Sequence, residues 1–158
     1  SNFQNNMAKI NLKITTPEKI VYEAEIDQVT LPTADGEITI LPNHIPLIGL
    51  LRPGELMAKA GSDIIAMAMS GGFLEFSNNN LIILADTAER IEEIDLARAE
   101  EARQRAEDLK QEKRVDEEEY ARLAAKIEKE LARIKVARKY RHSNRPTVSG
   151  EHLAEQDD

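Results

Sequence analysis

The chain has 158 residues, which is enough for one ordinary domain or two small ones. A net charge of −8 and an aromatic content of 4% argue against nucleic acid as a partner, because such binding needs basic surfaces and stacking rings. The sequence contains no cysteine, which excludes disulfides and thiolate metal sites. Residues 1–6 resemble an expression remnant, so we expect the natural chain to begin at Met7.

Residues 7–88 have the pattern of a β protein. Ile10, Leu12 and Ile14 alternate with polar residues, which is the period of a half-buried strand. Turn signals such as Ala34-Asp35-Gly36 separate many short apolar segments of this kind. We interpret Ser70-Gly71-Gly72 as a glycine bulge between two strands. The pattern predicts a β sandwich of about ten strands.

Residues 89–140 change to a helical period. Apolar residues recur at spacings of three and four in two segments, which contain Ala99, Ala102, Ala106 and Leu109, and then Tyr120, Leu123, Ile127, Leu131 and Ile134. Residues 111–115 form a polar break, and Asp116 with Glu119 resembles a capping box. These features predict an antiparallel hairpin of two helices, and hence an α+β fold in two parts. The alanine-rich first helix buries little area, so we expect weak attachment to the sandwich.

The remaining residues, 141–158, are polar and lack periodicity, and we expect a disordered tail there. The sequence carries no catalytic motif of a metalloprotease, a serine hydrolase or a phosphate-binding loop. His44 lies between Pro42 and Pro46, where the backbone is stiff, and it either faces a partner or is a plain loop residue. We therefore predict neither a catalytic residue nor a metal ligand.

Three segments carry a resemblance to a known family. GEITILPNHIPL, SGGFLEF and LADTAERIEEIDLARA resemble the ε subunit of bacterial F-type ATP synthases, in the family's order, between about Ile10 and Tyr140. Thr39 and Asn43 stand where the family commonly has glycine. The resemblance implies a non-catalytic rotor subunit of the central stalk, which couples proton transport to ATP synthesis. It also implies that the C-terminal helices inhibit ATP hydrolysis.

The resemblance further implies partners and a location. The sandwich would bind the γ subunit and the c-ring, and the extended hairpin would reach the catalytic α and β subunits. The chain would lie peripherally on the cytoplasmic side of the bacterial plasma membrane, attached only through the complex. Family contact positions for the c-ring and γ correspond to Glu37 and His44, and basic residues facing the β subunits would include Arg122 and Lys126.

The resemblance also implies a regulatory nucleotide site, with no required cofactor. Several family members bind ATP through a motif that matches Ile94, Asp95, Arg98 and Ala99 here. Further family positions correspond to Glu89, Lys129 and Arg133. Asp95 could equally be a helix N-cap, and Arg98 a surface residue paired with a neighbouring acid, so both interpretations remain open.

Two other functions remain as alternatives. One is a β-sandwich adaptor with a coiled-coil arm that is unrelated to ATP synthase. The other is an enzyme that uses His44. Binding of the γ subunit separates the first alternative from the rotor subunit, and turnover abolished by His44→Ala would support the second.

Overall fold

The computed structural model describes residues 8–112 and 115–143, with side chains described up to Tyr140. The described residues form eight strands, which are β1 (Ile10–Thr15), β2 (Ile20–Ile26), β3 (Gln28–Thr33), β4 (Gly36–Ile40), β5 (Leu47–Leu51), β6 (Gly54–Ala60), β7 (Asp63–Ser77) and β8 (Asn80–Arg90). A 3-10 turn (Ile91–Glu93) then leads into α1 (Leu96–Lys110) and α2 (Glu117–Ser143). No helix among the described residues is both long and apolar enough to cross a membrane.

The strands pair in the order β2-β1-β8-β7-β5-β3-β4, and β6 closes the arrangement by pairing with β3 and β7. All pairs are antiparallel except β1 with β8. The apolar residues that alternate along these strands meet inside, where Ile10, Leu12, Ile14 and Phe76 are at most 1% exposed. The predicted fold class, a β sandwich followed by two helices, is confirmed.

The strand number is eight in the described residues rather than about ten, and β7 shows why. This strand continues through Gly71 and Gly72, its first half pairing with β6 and its second half with β5. Gly72 has a φ of +137°, and a Cβ there would lie 2.1 Å from the carbonyl oxygen of Leu84. The glycine pair therefore lets one long strand change partners, so that two predicted strands become one.

Two aspartates begin the helices, of which the sequence predicts Asp116 as a cap and leaves the role of Asp95 open. Asp95 accepts a hydrogen bond from the backbone N–H of Arg98 at 3.1 Å, and Asp116 accepts one from Glu119 at 2.8 Å. The helices run antiparallel, because Lys110 Nζ lies 4.6 Å from the ring centroid of Tyr120 at the connection, and Arg138 near the end of α2 pairs with Glu100 near the start of α1. The last helix continues to Ser143, three residues into the segment predicted as a tail. The predicted remnant at residues 1–6 and the tail residues 144–158 lie outside the described residues.

Candidate functional site

The predicted nucleotide motif divides into a buried half and an exposed half. Ile94 and Ala99 are 6% and 0% exposed, so they pack inside the protein. The side chain of Arg98 is 84% exposed, and its Nε lies 4.0 Å from Asp95 Oδ2. Asp95 serves as the N-cap of α1, the structural role that the sequence left open beside ligand binding.

Arg133 joins α2 to the end of β8. Its Nε and Nη2 donate to the two carboxylate oxygens of Glu89 at 2.6 and 3.0 Å, and its Nη1 donates to Glu130 at 2.6 Å. Burial alone would lower the pKa of Arg133, but the hydrogen bonds to Glu89 and Glu130 raise it above the ordinary value. The structure thus brings together two residues that the resemblance assigns to ATP, and it pairs them with each other.

The hairpin packs on the sandwich through a small apolar cluster and a second polar contact. The docking cluster consists of four buried residues, which are Ala68, Ile94, Val136 and Ala137. Beside it, Glu55 of β6 accepts hydrogen bonds from Lys139 Nζ, at 2.8 Å, and from the Tyr140 hydroxyl. Burial and then the Glu55 carboxylate raise the pKa of Tyr140 above its ordinary range. The contact of Glu55 with Lys139 and Tyr140 was not predicted, because no local pattern in the sequence relates β6 to the end of α2.

The other predicted basic residues of α2 lie apart from this contact. Arg122 is 77% exposed and pairs only loosely with Glu119, at 3.8 Å. Lys126 is exposed, whereas Lys129 is half-buried. Neither lysine makes a side-chain hydrogen bond or ion pair within the described part of the chain. Lys129 is therefore a cation without a protein partner among those residues.

A groove of about 670 Å³ separates α2 from the sandwich. Its charged lining residues are Glu37, Arg52, Glu55, Glu128, Lys135 and Lys139. Of the residues assigned by resemblance, only Glu37 lies there, so this groove is distinct from the predicted nucleotide site. The lining contains equal numbers of acids and bases, which gives the groove no marked preference for an anion.

The loop with His44 is a tight turn. The His44 N–H donates to the Leu41 carbonyl at 3.2 Å, and Asn43 has a φ of +67°. Pro42 and Asn43 thus occupy the two central positions of a type II turn, where asparagine replaces the usual glycine. Thr39 sits in a regular antiparallel pairing and shares a 2.9 Å hydrogen bond with Thr30, so the missing glycine does not disturb β4.

One outer face of the sandwich is apolar, and we call it the outer apolar face. Its members are Ile48, Leu50, Phe73, Ile82 and Leu84, with exposures between 42% and 78%. Leu50 pairs with Phe73, which pairs with Leu84, so these three are neighbours across β5, β7 and β8. Ile48 and Ile82 both pair with the exposed Glu75, so one acid lies between them on this face. This face was not predicted, although the unbroken apolar run of Leu81 to Leu84 is typical of a strand covered on both sides.

A β sandwich with a docked helical hairpin and an uncovered apolar face defines an interaction subunit of a larger assembly. Residues 9–91 match the family described as ATP synthase, Delta/Epsilon chain, beta-sandwich domain, and residues 92–138 match its long alpha-helix domain. The chain belongs to this ATP synthase family, as a non-catalytic subunit of the epsilon type. The alternatives of an unrelated adaptor and of an enzyme are therefore not favoured.

Individual similar proteins agree with the family. The ATP synthase epsilon chain of Dehalococcoides mccartyi is 45% identical over 135 residues, which cover 85% of this chain and 96% of the relative. That of Chloroflexus aggregans is 41% identical, over 86% of this chain and 97% of the relative. A chain in a cryo-EM structure of the Euglena gracilis mitochondrial ATP synthase has the same fold, with a TM-score of 0.70, 24% identity and 84% coverage of each chain.

Proposed function

We propose that this chain is a coupling and regulatory subunit of the central stalk. Its sandwich binds the γ subunit and rests on the c-ring, with Glu37 and His44 at these contacts. It thereby helps to couple proton transport to ATP synthesis on the cytoplasmic side of the bacterial plasma membrane, to which it is attached only through the complex. The observation that carries the proposal is the outer apolar face.

The outer apolar face is the part of the sandwich best suited to γ. Its five large side chains are between 42% and 78% exposed, and they form one row of three apolar residues beside a second row in which Glu75 separates Ile48 from Ile82. Covering a half-exposed side chain of this size stabilises a complex by about 1 kcal/mol, so five of them contribute on the order of 5 kcal/mol. An apolar patch of neighbouring residues marks an interaction site, whereas single exposed apolar residues do not.

The test is binding of purified γ to the wild-type chain and to two aspartate variants. Phe73→Asp removes the central apolar side chain of the face and adds a second negative charge near Glu75, and we expect it to weaken binding at least tenfold. Ile64→Asp is the matched control, because Ile64 is 59% exposed on the same strand but lies outside that face. Equal losses in both variants, or no binding by the folded wild-type chain, would argue against this interface.

The hairpin supports the regulatory part of the proposal. Its second helix has 27 residues, which corresponds to about 40 Å at 1.5 Å per residue. Released from the sandwich, a helix of this length would reach the catalytic α and β subunits and inhibit ATP hydrolysis. Arg122 and Lys126 are exposed in the docked state and are therefore available to acidic partners without any rearrangement of their side chains.

A regulatory ATP would bind the docked hairpin beside the N-terminus of α1. Arg98 and Lys129 are the available cations, because Arg133 already donates to Glu89 and Glu130. Asp95 would contact the adenine amino group, beside the buried Ile94 and Ala99. A ligand that binds only this state would increase its population, by no more than the difference in its affinity for the two states.

Calorimetric titration of ATP into the purified chain tests this site. We expect saturable binding that Asp95→Ala and Arg98→Ala both weaken, and that Arg122→Ala leaves unchanged because Arg122 lies on the far part of α2. Absence of binding up to millimolar ATP, in a chain shown to be folded, would leave Asp95 as a helix cap and Arg98 as a surface residue. Absence of ATP binding would not bear on the proposed binding to γ, which uses a different surface.

A further inference from the structure

Asparagines tie the His44 turn to the hairpin between β7 and β8. The backbone N–H of Asn43 donates to Asn79 Oδ1 at 2.6 Å, and Asn79 Nδ2 donates to Asn43 Oδ1 at 3.1 Å. The two residues are 36 positions apart in sequence, and both have positive φ angles, of 67° and 59°. Glycine at either position would allow the same backbone, but it would remove both hydrogen bonds at position 79 and one of the two at position 43.

The second turn is itself anchored to the sheet. Asn78 and Asn79 both have positive φ between the paired residues Ser77 and Asn80, which is the geometry of a two-residue type I′ turn. The Asn79 carbonyl accepts from the backbone N–H of Asn11 at 2.8 Å, which connects the turn to the first strand. Asn79 therefore connects the turn that contains His44 to the sheet, through its carbonyl on one side and its side chain on the other.

This fixed turn presents both apolar groups and one polar atom. Leu41 and Ile45 are 53% and 74% exposed, and Ile45 leads along the chain to Ile48 of the outer apolar face. The His44 ring lies edge-on to Phe76, with centroids 5.9 Å apart, and its Nδ1 is 2.7 Å from the Ile45 carbonyl. Because a carbonyl only accepts, Nδ1 donates to it, and Nε2 is the ring nitrogen left for a partner.

We propose that Asn79 is a positioning residue that holds the His44 turn in its binding conformation, so that the turn extends the outer apolar face. The partner is the protein that covers this face, with an apolar surface and a hydrogen-bonding group opposite His44 Nε2. This inference rests on the proposed function, in which that protein is the γ subunit. A turn that is already ordered loses little conformational freedom on binding, so its order strengthens the complex.

The experiment compares two glycine variants of one turn. Asn79→Gly removes the bonds to Asn43, whereas Asn78→Gly changes the neighbouring residue, whose side chain makes no hydrogen bond to the His44 turn. Glycine accepts positive φ at both positions, so neither variant strains the backbone. We expect Asn79→Gly to weaken γ binding roughly fivefold and to accelerate hydrogen exchange of the Asn43 amide, and Asn78→Gly to change neither by more than about twofold.

A double-mutant cycle completes the test. The Asn43→Gly variant keeps the hydrogen bond from its backbone N–H to Asn79. The change in the logarithm of its γ affinity should therefore be about half of the change caused by Asn79→Gly. The double variant with Asn79→Gly should be no weaker than Asn79→Gly alone, because both changes remove one shared contact. If the loss of γ affinity in the double variant equals the product of the two single losses, or if Asn78→Gly and Asn79→Gly weaken binding equally, Asn79 is not the positioning residue. Either result would leave the proposed function standing. Failure of the wild-type chain to bind γ would overturn the proposed function together with this inference.

Discussion

Replacing Arg133 with alanine should release the hairpin from the sandwich. The change removes three hydrogen bonds and leaves the Glu130 side chain, only 5% exposed, beside Glu89 with no cation between them. Breaking a buried pair in this way costs about 3 to 5 kcal/mol, and we expect the lower figure because Glu89 is 31% exposed and regains water.

The apolar contact cannot compensate for such a loss. The docking cluster has four members, and two of them are alanines. Their burial contributes on the order of 6 kcal/mol before any entropy of ordering is subtracted. Removing about 3 kcal/mol would therefore reduce the docked population relative to the undocked one by roughly a hundredfold. The sandwich should remain folded, since its core is separate from this cluster.

Carbodiimide coupling measures docking directly, because it joins a carboxylate to an amine in contact. Lys139 Nζ lies 2.8 Å from Glu55 Oε2 only when α2 lies against β6, so the cross-linked peptide reports the docked state. The matched control is Arg122→Ala, which removes an exposed 3.8 Å pair on the same helix and should leave the yield unchanged. A wild-type yield in Arg133→Ala would refute the reasoning and show that the apolar cluster alone holds the hairpin.

Two further predictions concern β7 and the end of α2. Gly72→Ala should lower the free energy of unfolding of the sandwich by about 3 kcal/mol, because its Cβ would meet the Leu84 carbonyl. Gly61→Ala, at a φ of +61° with open space around it, should lower the same free energy by about 1 kcal/mol. Denaturant titration compares the two variants, and equal effects would contradict the close contact at Gly72. Because burial and Glu55 raise the pKa of Tyr140 above its ordinary 10.0, its stabilisation of docking should be complete below pH 10 and lost as the pH rises through the raised value. Tyr140→Phe should abolish that alkaline transition, measured by the helical circular dichroism, and its persistence would assign the transition to another group.

The fold was predictable where local pattern and final contacts agree. Alternation along β1 and the spacing of Ala99 and Ala106 in α1 reflect which side faces the interior, whereas Leu109, at the end of the same pattern, is 45% exposed. The two aspartate caps depend only on residues three positions away. The continuity of β7 was not predictable, because Gly71-Gly72 reads locally as an interruption. The strand stays continuous because β7 pairs with β8 on both sides of the glycines, and that pairing depends on residues distant in the sequence.

The site was predictable only in part, for a similar reason. The resemblance assigns Glu89 and Arg133 to a nucleotide site, but nothing within the sequence predicts that these two residues, 44 positions apart, bond to each other. Glu55 gave no signal at all, since a single acid in a strand is ordinarily a solvated surface group. The outer apolar face was detectable in the sequence. A strand with one solvent-exposed side alternates apolar and polar residues, whereas apolar residues such as Ile82 occupy the exposed positions of β8.

The residues expected to bind ATP fall into two groups, those that already hold the hairpin on the sandwich and those that remain available to a ligand. Glu89 and Arg133 already stabilise the docked hairpin by themselves, and Ile94 stabilises it through the docking cluster. ATP could strengthen docking only through groups that are not already satisfied there, which are Arg98 and Lys129. If ATP instead displaced Glu89 from Arg133, it would exchange one ion pair for another and gain little differential affinity. Any nucleotide control of this hairpin should therefore depend far more on Arg98 than on Arg133.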